Sequence, residues 1–203
     1  MLRTLAATCL VLAAGLAVFT WATDGFRVAT AEGARRLAVA ETPVRVPDVT
    51  LQDMSGRTIR FSDYRGRVLL VDFLYTTCPT ICQDLGESFA QILEATRRQP
   101  GGQDVALLSI SFDLENDTPE QMRQFAEHHG ADGEAWTIAR PTNREDLTTL
   151  LDLFGIKVIP DPLVGFQHNA AIHLVDRQGK LARIVDPTTG AALAVLDAEV
   201  DQL

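Results

Sequence analysis

Apolar positions in this chain fall into runs, and the spacing within each run predicts the element it forms. Val68 to Tyr75 and Val105 to Phe112 are apolar almost without a break. A strand with one wet face alternates apolar and polar residues, so these two read as strands covered on both faces of a sheet. Thr58 to Phe61 and Trp136 to Ala139 read as shorter strands. Ala170 to Val175 and Leu181 to Val185 flank Arg177-Gln178-Gly179-Lys180 and read as a terminal hairpin. Between the strands the period lengthens to that of a helix. Ile81, Leu85, Phe89 and Ile92 form one stripe, Pro79 suits the first helical position with Cys78 as N-cap, and Pro100-Gly101-Gly102 ends the element. Thr118-Pro119-Glu120-Gln121 has the capping-box pattern and opens a helix to Gly130, Thr142-Asn143-Arg144-Glu145 opens another to Gly155, and a last helix starts near Gly190. The order β, βαβ, αβ, α, ββ, α predicts an α/β layer structure with a mixed sheet.

One run stands apart. Thr4 to Thr23 has no charged residue and is rich in Leu, Ala and Val, which is about the length that spans a bilayer. An uncleaved anchor is the favoured reading. Its rival is an export signal cleaved after Ala29-Thr30-Ala31, for which the apolar run is long. Arg3 precedes the run while Arg27, Arg35 and Arg36 follow it, but long following domains are exported regardless of such charges. Cys9 lies inside the run as an apolar filler. The organisation that follows is an anchor or signal over residues 1–23, a tether over 24–46 that has some helical character, and one folded domain over 47–203. A formal charge of −9 on 203 residues leaves no broad basic face, which argues against a nucleic-acid partner.

Two cysteines therefore remain in the soluble part, in Cys78-Pro79-Thr80-Ile81-Cys82, where the first buried strand gives way to a helix. Helical residues four apart are displaced by about 40° around the axis and roughly 6 Å along it, so both thiols can converge on one object. The partial positive charge of a helix N-terminus favours thiolate, and these sulfurs are expected to ionise readily. Three readings are open: apolar packing, dithiol–disulfide exchange, and a metal site, for which two soft thiolates select copper(I) or zinc. Zinc would need further ligands, so the histidines matter. His128 and His129 close a helix and read as surface capping residues. His173 alternates with Ala171 and Val175 on one face of a strand and reads as a core or half-exposed position. His168 sits in IPDPLVGFQHNAA, a Pro- and Gly-rich loop before a strand, where the scaffold holds a side chain without committing it to the core.

TTCPTIC after a buried strand, SISFD with DTPE downstream, and a loop histidine before AIHLVDRQGK together resemble the SCO/SenC family of copper chaperones over about Pro47 to Val185. The resemblance implies a thioredoxin-like fold and a membrane-tethered domain facing the periplasm. It also implies copper handling for the CuA-containing subunit of cytochrome c oxidase, with copper held by Cys78, Cys82 and His168. Asp113 matches a family aspartate near the site, an accessory for redox or docking. Two departures stand out. Gln167 and Leu114 replace the Asp and Pro of many members, and the first removes a carboxylate near the site, which bears on copper(II) more than copper(I). The implied protein is a metallochaperone rather than an enzyme. A thiol-disulfide oxidoreductase, working through a Cys78–Cys82 disulfide to keep CuA cysteines reduced, is the alternative.

Overall fold

The computed structural model of this protein describes residues 2–23, 25, 30–78, 81–98 and 101–200. The ten strands are β1 (Val44–Arg45), β2 (Thr50–Asp53), β3 (Thr58–Arg60), β4 (Val68–Leu74), β5 (Val105–Ser111), β6 (Trp136–Pro141), β7 (Val158–Asp161), β8 (Gly165–His168), β9 (Ile172–Val175) and β10 (Lys180–Val185). The helices are α1 (Leu2–Ala22), α2 (Ala31–Glu41), α3 (Ile81–Arg98), α4 (Pro119–His129), α5 (Arg144–Phe154) and α6 (Thr189–Val200).

Eight strands form one mixed sheet in the order β1-β10-β9-β4-β5-β6-β2-β3. The parallel trio β4, β5 and β6 lies at its centre, with β9 antiparallel to β4 on one side and β2 antiparallel to β6 on the other. Every residue of β4 and β5 is buried, as their uninterrupted apolar runs require. Successive side chains of a strand leave opposite faces, and two cores result. Val68 and Leu70 pack with Phe89 and Ile92 of α3, Trp136 of β6 and Leu196 of α6. Leu69, Val71 and Phe73 pack with Met122 and Phe125 of α4 and with Leu150 and Phe154 of α5. Both α4 and α5 end on a left-handed residue, Gly130 at φ 80° and Gly155 at φ 66°, a conformation that costs glycine little.

Pro79 and Thr80 lie outside the described residues, so the expected helix start at Pro79 does too. Four strands, β1, β2, β7 and β8, go beyond the sequence reading, and α2 gives a definite span to the helical character read there. α2 falls within the stretch read as a tether: Thr30 caps it through Gly33 N, Val39 is buried, and Arg36 reaches Asp186 at 2.8 Å. β1 and β2 are too short to carry a readable period. The β7–β8 hairpin occupies the segment read as a loop, where Pro160, Pro162 and Gly165 mask its alternation. α1 is a single apolar helix whose residues Arg3–Ala22 are long and apolar enough to cross a membrane.

Candidate metal centre

β4 delivers the chain to the edge of its layer at Tyr75, and the next turn presents Cys78 beneath the start of α3. The Sγ of Cys78 accepts a hydrogen bond from the Cys82 amide at 3.4 Å, so the first cysteine meets one of the helix's N-terminal donors. Cys82 sits one turn on and is fully buried, while Cys78 is 3% exposed. From the opposite side, β8 ends at His168, whose Nε2 stands 3.6 Å from the Cys82 Sγ. The Cys78 and Cys82 sulfurs and the His168 nitrogen all lie within 4.8 Å of one another. Three donors around one ion at bond lengths of about 2.0 to 2.3 Å would sit roughly 4 Å apart, so the group closes on a metal with small adjustments.

The surroundings set the protonation of each donor. His168 Nδ1 lies 3.1 Å from the Asn169 carbonyl, which accepts its proton and leaves Nε2 as the free lone pair facing the sulfurs. Burial holds the His168 imidazole below its ordinary pKa, with the Asn169 carbonyl opposing. The ring sits in an aromatic wall, 5.0 Å from Phe112 and 6.3 Å from Tyr75 by centroids. Burial also pushes the Cys82 thiol well above its usual range, and the adjacent Cys78 sulfur adds to the effect. The expectation of an easily ionised pair therefore fails at Cys82, because removing the sulfur from water outweighs the favourable end of the helix. Cys78 is buried as well. Both cysteines are unbridged thiols.

Asp113 directly follows Phe112 of the aromatic wall, but its carboxylate is spent on its own turn. Its Oδ1 accepts from the Glu115 and Asn116 amides and its Oδ2 from Asn116 Nδ2 at 2.8 Å. Gln167 points to the other side of the hairpin, where its Nε2 donates to Asp161 at 2.5 Å. The pleat thus directs position 167 away from the face that carries His168, and Leu114 packs at the margin of the core. His173 is a fully buried residue whose ring lies between the Val71 and Phe154 carbonyls, at 3.3 and 3.0 Å. His128 is exposed, whereas His129 is half-buried against Phe125 at 4.3 Å and over Gly86 of α3, so it packs two helices together as well as ending one.

The comparison with known families decides what this arrangement belongs to. A family model described as SCO1/SenC matches residues 40–199. The chain belongs to the SCO1/SenC family. It is 25% identical over 140 residues to the SCO1 protein homolog of Bacillus subtilis, covering 68% of this chain and 72% of that protein. Among solved structures it is similar to Bradyrhizobium japonicum ScoI with copper bound, with a TM-score of 0.65 at 22% identity, covering 77% of this chain and 99% of that one. It is similar also to BsSco, described by its disulfide switch and as a member of the Sco family of cytochrome c oxidase assembly proteins. That TM-score is 0.67 at 22% identity, over 79% of this chain and 93% of the other. The shared fold is the thioredoxin-like α/β fold that the motifs imply.

Three residues of this SCO1/SenC site escape a reading of the sequence. Asp117 is fully buried and accepts from the Thr76 amide at 2.9 Å, from Thr76 Oγ1 at 2.5 Å and from Ser111 Oγ at 2.5 Å, fastening the cysteine turn to β5. Its place in DTPE marked only a helix cap. Tyr75 donates its hydroxyl to the hairpin, and nothing local could show that. Asp72 interrupts the apolar run of β4 and is 1% exposed, and no donor meets its carboxylate oxygens in good hydrogen-bond geometry, the Ser109 hydroxyl being the polar side chain that acts on it. Burial pushes the Asp72 carboxyl up to about 7, with the Ser109 hydroxyl opposing, and its charge would raise the Cys82 thiol further. The signal for Asp72 was in the sequence: an acid inside a strand covered on both faces.

Proposed function

We propose that this protein is a membrane-tethered copper carrier. It holds copper through Cys78, Cys82 and His168 and delivers it to the CuA centre of cytochrome c oxidase, its α1 helix anchoring the domain on the periplasmic face of the inner membrane. The observation that carries the reading is the convergence of two sulfurs and one imidazole nitrogen within 4.8 Å. Two sulfurs with one neutral imidazole suit copper(I), a soft ion. Copper here is cargo. Binding requires both thiols to release their protons, and the neutral state that burial favours at Cys82 makes uptake increase with pH. His168 is half-exposed on a hairpin whose Ile159 and Leu163 stand in solvent at 61% and 93%, so a partner's ligands have an approach from that side.

A second reading, thiol–disulfide exchange that keeps CuA cysteines reduced, is favoured by one observation: the Cys78 and Cys82 thiols are unbridged neighbours. The two readings separate in one set of experiments on the full chain in detergent, reduced and anaerobic. Delivery requires one copper(I) per chain and its transfer to an apo CuA domain. It also requires loss of stable binding in both Cys78→Ser and Cys82→Ser, since a hydroxyl is a poor ligand for a soft ion. Little activity in general disulfide reduction is expected. If His168→Ala leaves cellular oxidase assembly intact while either cysteine variant abolishes it, delivery through this site is refuted and exchange is favoured.

A further inference from the structure

The site is built from two arms that the sequence does not connect. One is the turn after β4 with Cys78 and Cys82; the other is the β7–β8 hairpin that ends in His168. The hairpin is a two-stranded sheet separate from the main one, and isolated two-stranded ribbons are marginal in water. What holds it is therefore informative. The Tyr75 hydroxyl stands 2.6 Å from the Val164 carbonyl oxygen and 3.2 Å from that of Phe166. Among the described residues, these are the hydrogen bonds joining residues 158–168 to the main sheet, apart from the Cys82–His168 contact itself. Phe166 is two residues before His168, so the restraint acts within one pleat of the ligand nitrogen.

Tyr75 is itself rigidly placed. It is 2% exposed, its ring packs against Phe112 at 5.5 Å and Phe166 at 5.3 Å, and its carbonyl accepts from the Cys78 amide at 3.2 Å. The next residue, Thr76, is clamped by Asp117 through both its amide and its hydroxyl. The Tyr75-Thr76 pair thus grips the hairpin with one residue while the other is fixed to the scaffold, and the cysteine turn follows directly.

We infer that Tyr75 is a positioning residue, a latch whose hydroxyl holds the His168 hairpin at the distance from the two sulfurs that lets the imidazole complete the metal site. This rests on the copper reading above. Losing the latch weakens the nitrogen's hold and leaves both thiolates in place. Copper(II), the harder ion, depends on the imidazole more than copper(I) does.

Tyr75→Phe keeps the ring packing and removes the hydroxyl alone, so the fold is retained. The test uses the full chain in detergent. In metal-free protein, amide exchange across residues 158–168 should accelerate by about two- to tenfold, the range of one net hydrogen bond, while exchange in β5 stays unchanged. Copper(II) affinity should fall by a similar factor with altered nitrogen hyperfine structure in its paramagnetic resonance spectrum, whereas copper(I) affinity changes little. In a His168→Ala background, Tyr75→Phe should have no further effect on copper(II). Unchanged hairpin exchange in the variant overturns the latch. Faster exchange with wild-type copper(II) affinity and spectrum overturns its positioning role. Failure of wild-type protein to bind copper, with faster hairpin exchange in the variant, would refute the copper reading while the latch stands.

Discussion

Asp72→Asn should gain stability relative to the wild type as pH rises from about 4 to 7. Unfolded, Asp72 ionises near the ordinary value of 3.8; folded, it does so at about 7 because burial in β4 outweighs the opposing Ser109 hydroxyl. Between those values the native state binds one proton more than the unfolded state, so stability falls by about 1.4 kcal/mol per pH unit as pH rises. The full effect is about 4 kcal/mol once pH exceeds 7. His173 works in the opposite sense. Burial, with the Arg35 guanidinium second, lowers it from 6.5 to about 3. The native state therefore binds one proton fewer between those values, and its contribution grows as pH rises through the same range. From about pH 4 to 6.5 the two slopes cancel. An amide at position 72 is uncharged and nearly isosteric, so its own packing cost is independent of pH and drops out of the slope. Denaturant unfolding of reduced, metal-free protein at about pH 5, 6, 7 and 8 measures this, with Trp136 fluorescence in a Trp21→Phe background as the probe. The variant-minus-wild-type difference should climb with pH and level off above about 7. A difference that stays constant from pH 5 to 8, or that falls, refutes the assignment of the buried acid.

Asp117→Ala should destabilise the chain by about 2 to 4 kcal/mol and loosen the cysteine turn, because it leaves the Thr76 amide, the half-buried Thr76 hydroxyl and the buried Ser111 hydroxyl without their acceptor; chemical denaturation combined with copper(I) titration reads both effects. Deleting residues 1–46 should lower stability by about 2 kcal/mol relative to deleting 1–29, since Val39 loses its burial on the core and Arg35 no longer donates to the Phe154 carbonyl; equal melting temperatures would show that α2 contributes nothing. The full chain should remain with membranes after carbonate extraction, while protein starting at residue 30 is soluble; release of exported protein starting at Glu32 would show that α1 is a cleaved signal. One equivalent of copper(I) should raise the melting temperature of the wild type but not of Cys82→Ser, because a ligand that binds only the folded site stabilises by mass action.

Sequence alone determined the parts of this protein that depend on near neighbours. The unbroken runs at Val68 and Val105 could only be strands covered on both faces, and β4 and β5 are buried throughout. The Leu85, Phe89 and Ile92 stripe could only be one helical face, and it is the face α3 buries. Four-residue spacing put Cys78 and Cys82 within reach of each other, and separated motifs, not local pattern, singled out His168. The tertiary structure decided everything that joins distant segments. His168 meets Cys82 across 86 residues of sequence, at a distance set by how the β7–β8 hairpin docks. β1, β2, β7 and β8 show no strand signal of their own, Pro160, Pro162 and Gly165 masking it in the last two, and form because a neighbouring strand supplies the hydrogen bonds. The grip of Tyr75 on the Val164 carbonyl, the hold of Asp117 on Thr76 and the turn of Gln167 away from the site have no local signature. The protonation of the thiols followed the same division: a helix N-terminus is legible in sequence and predicts easy ionisation at both cysteines, but burial depends on the packed fold, and at Cys82 burial is the larger effect.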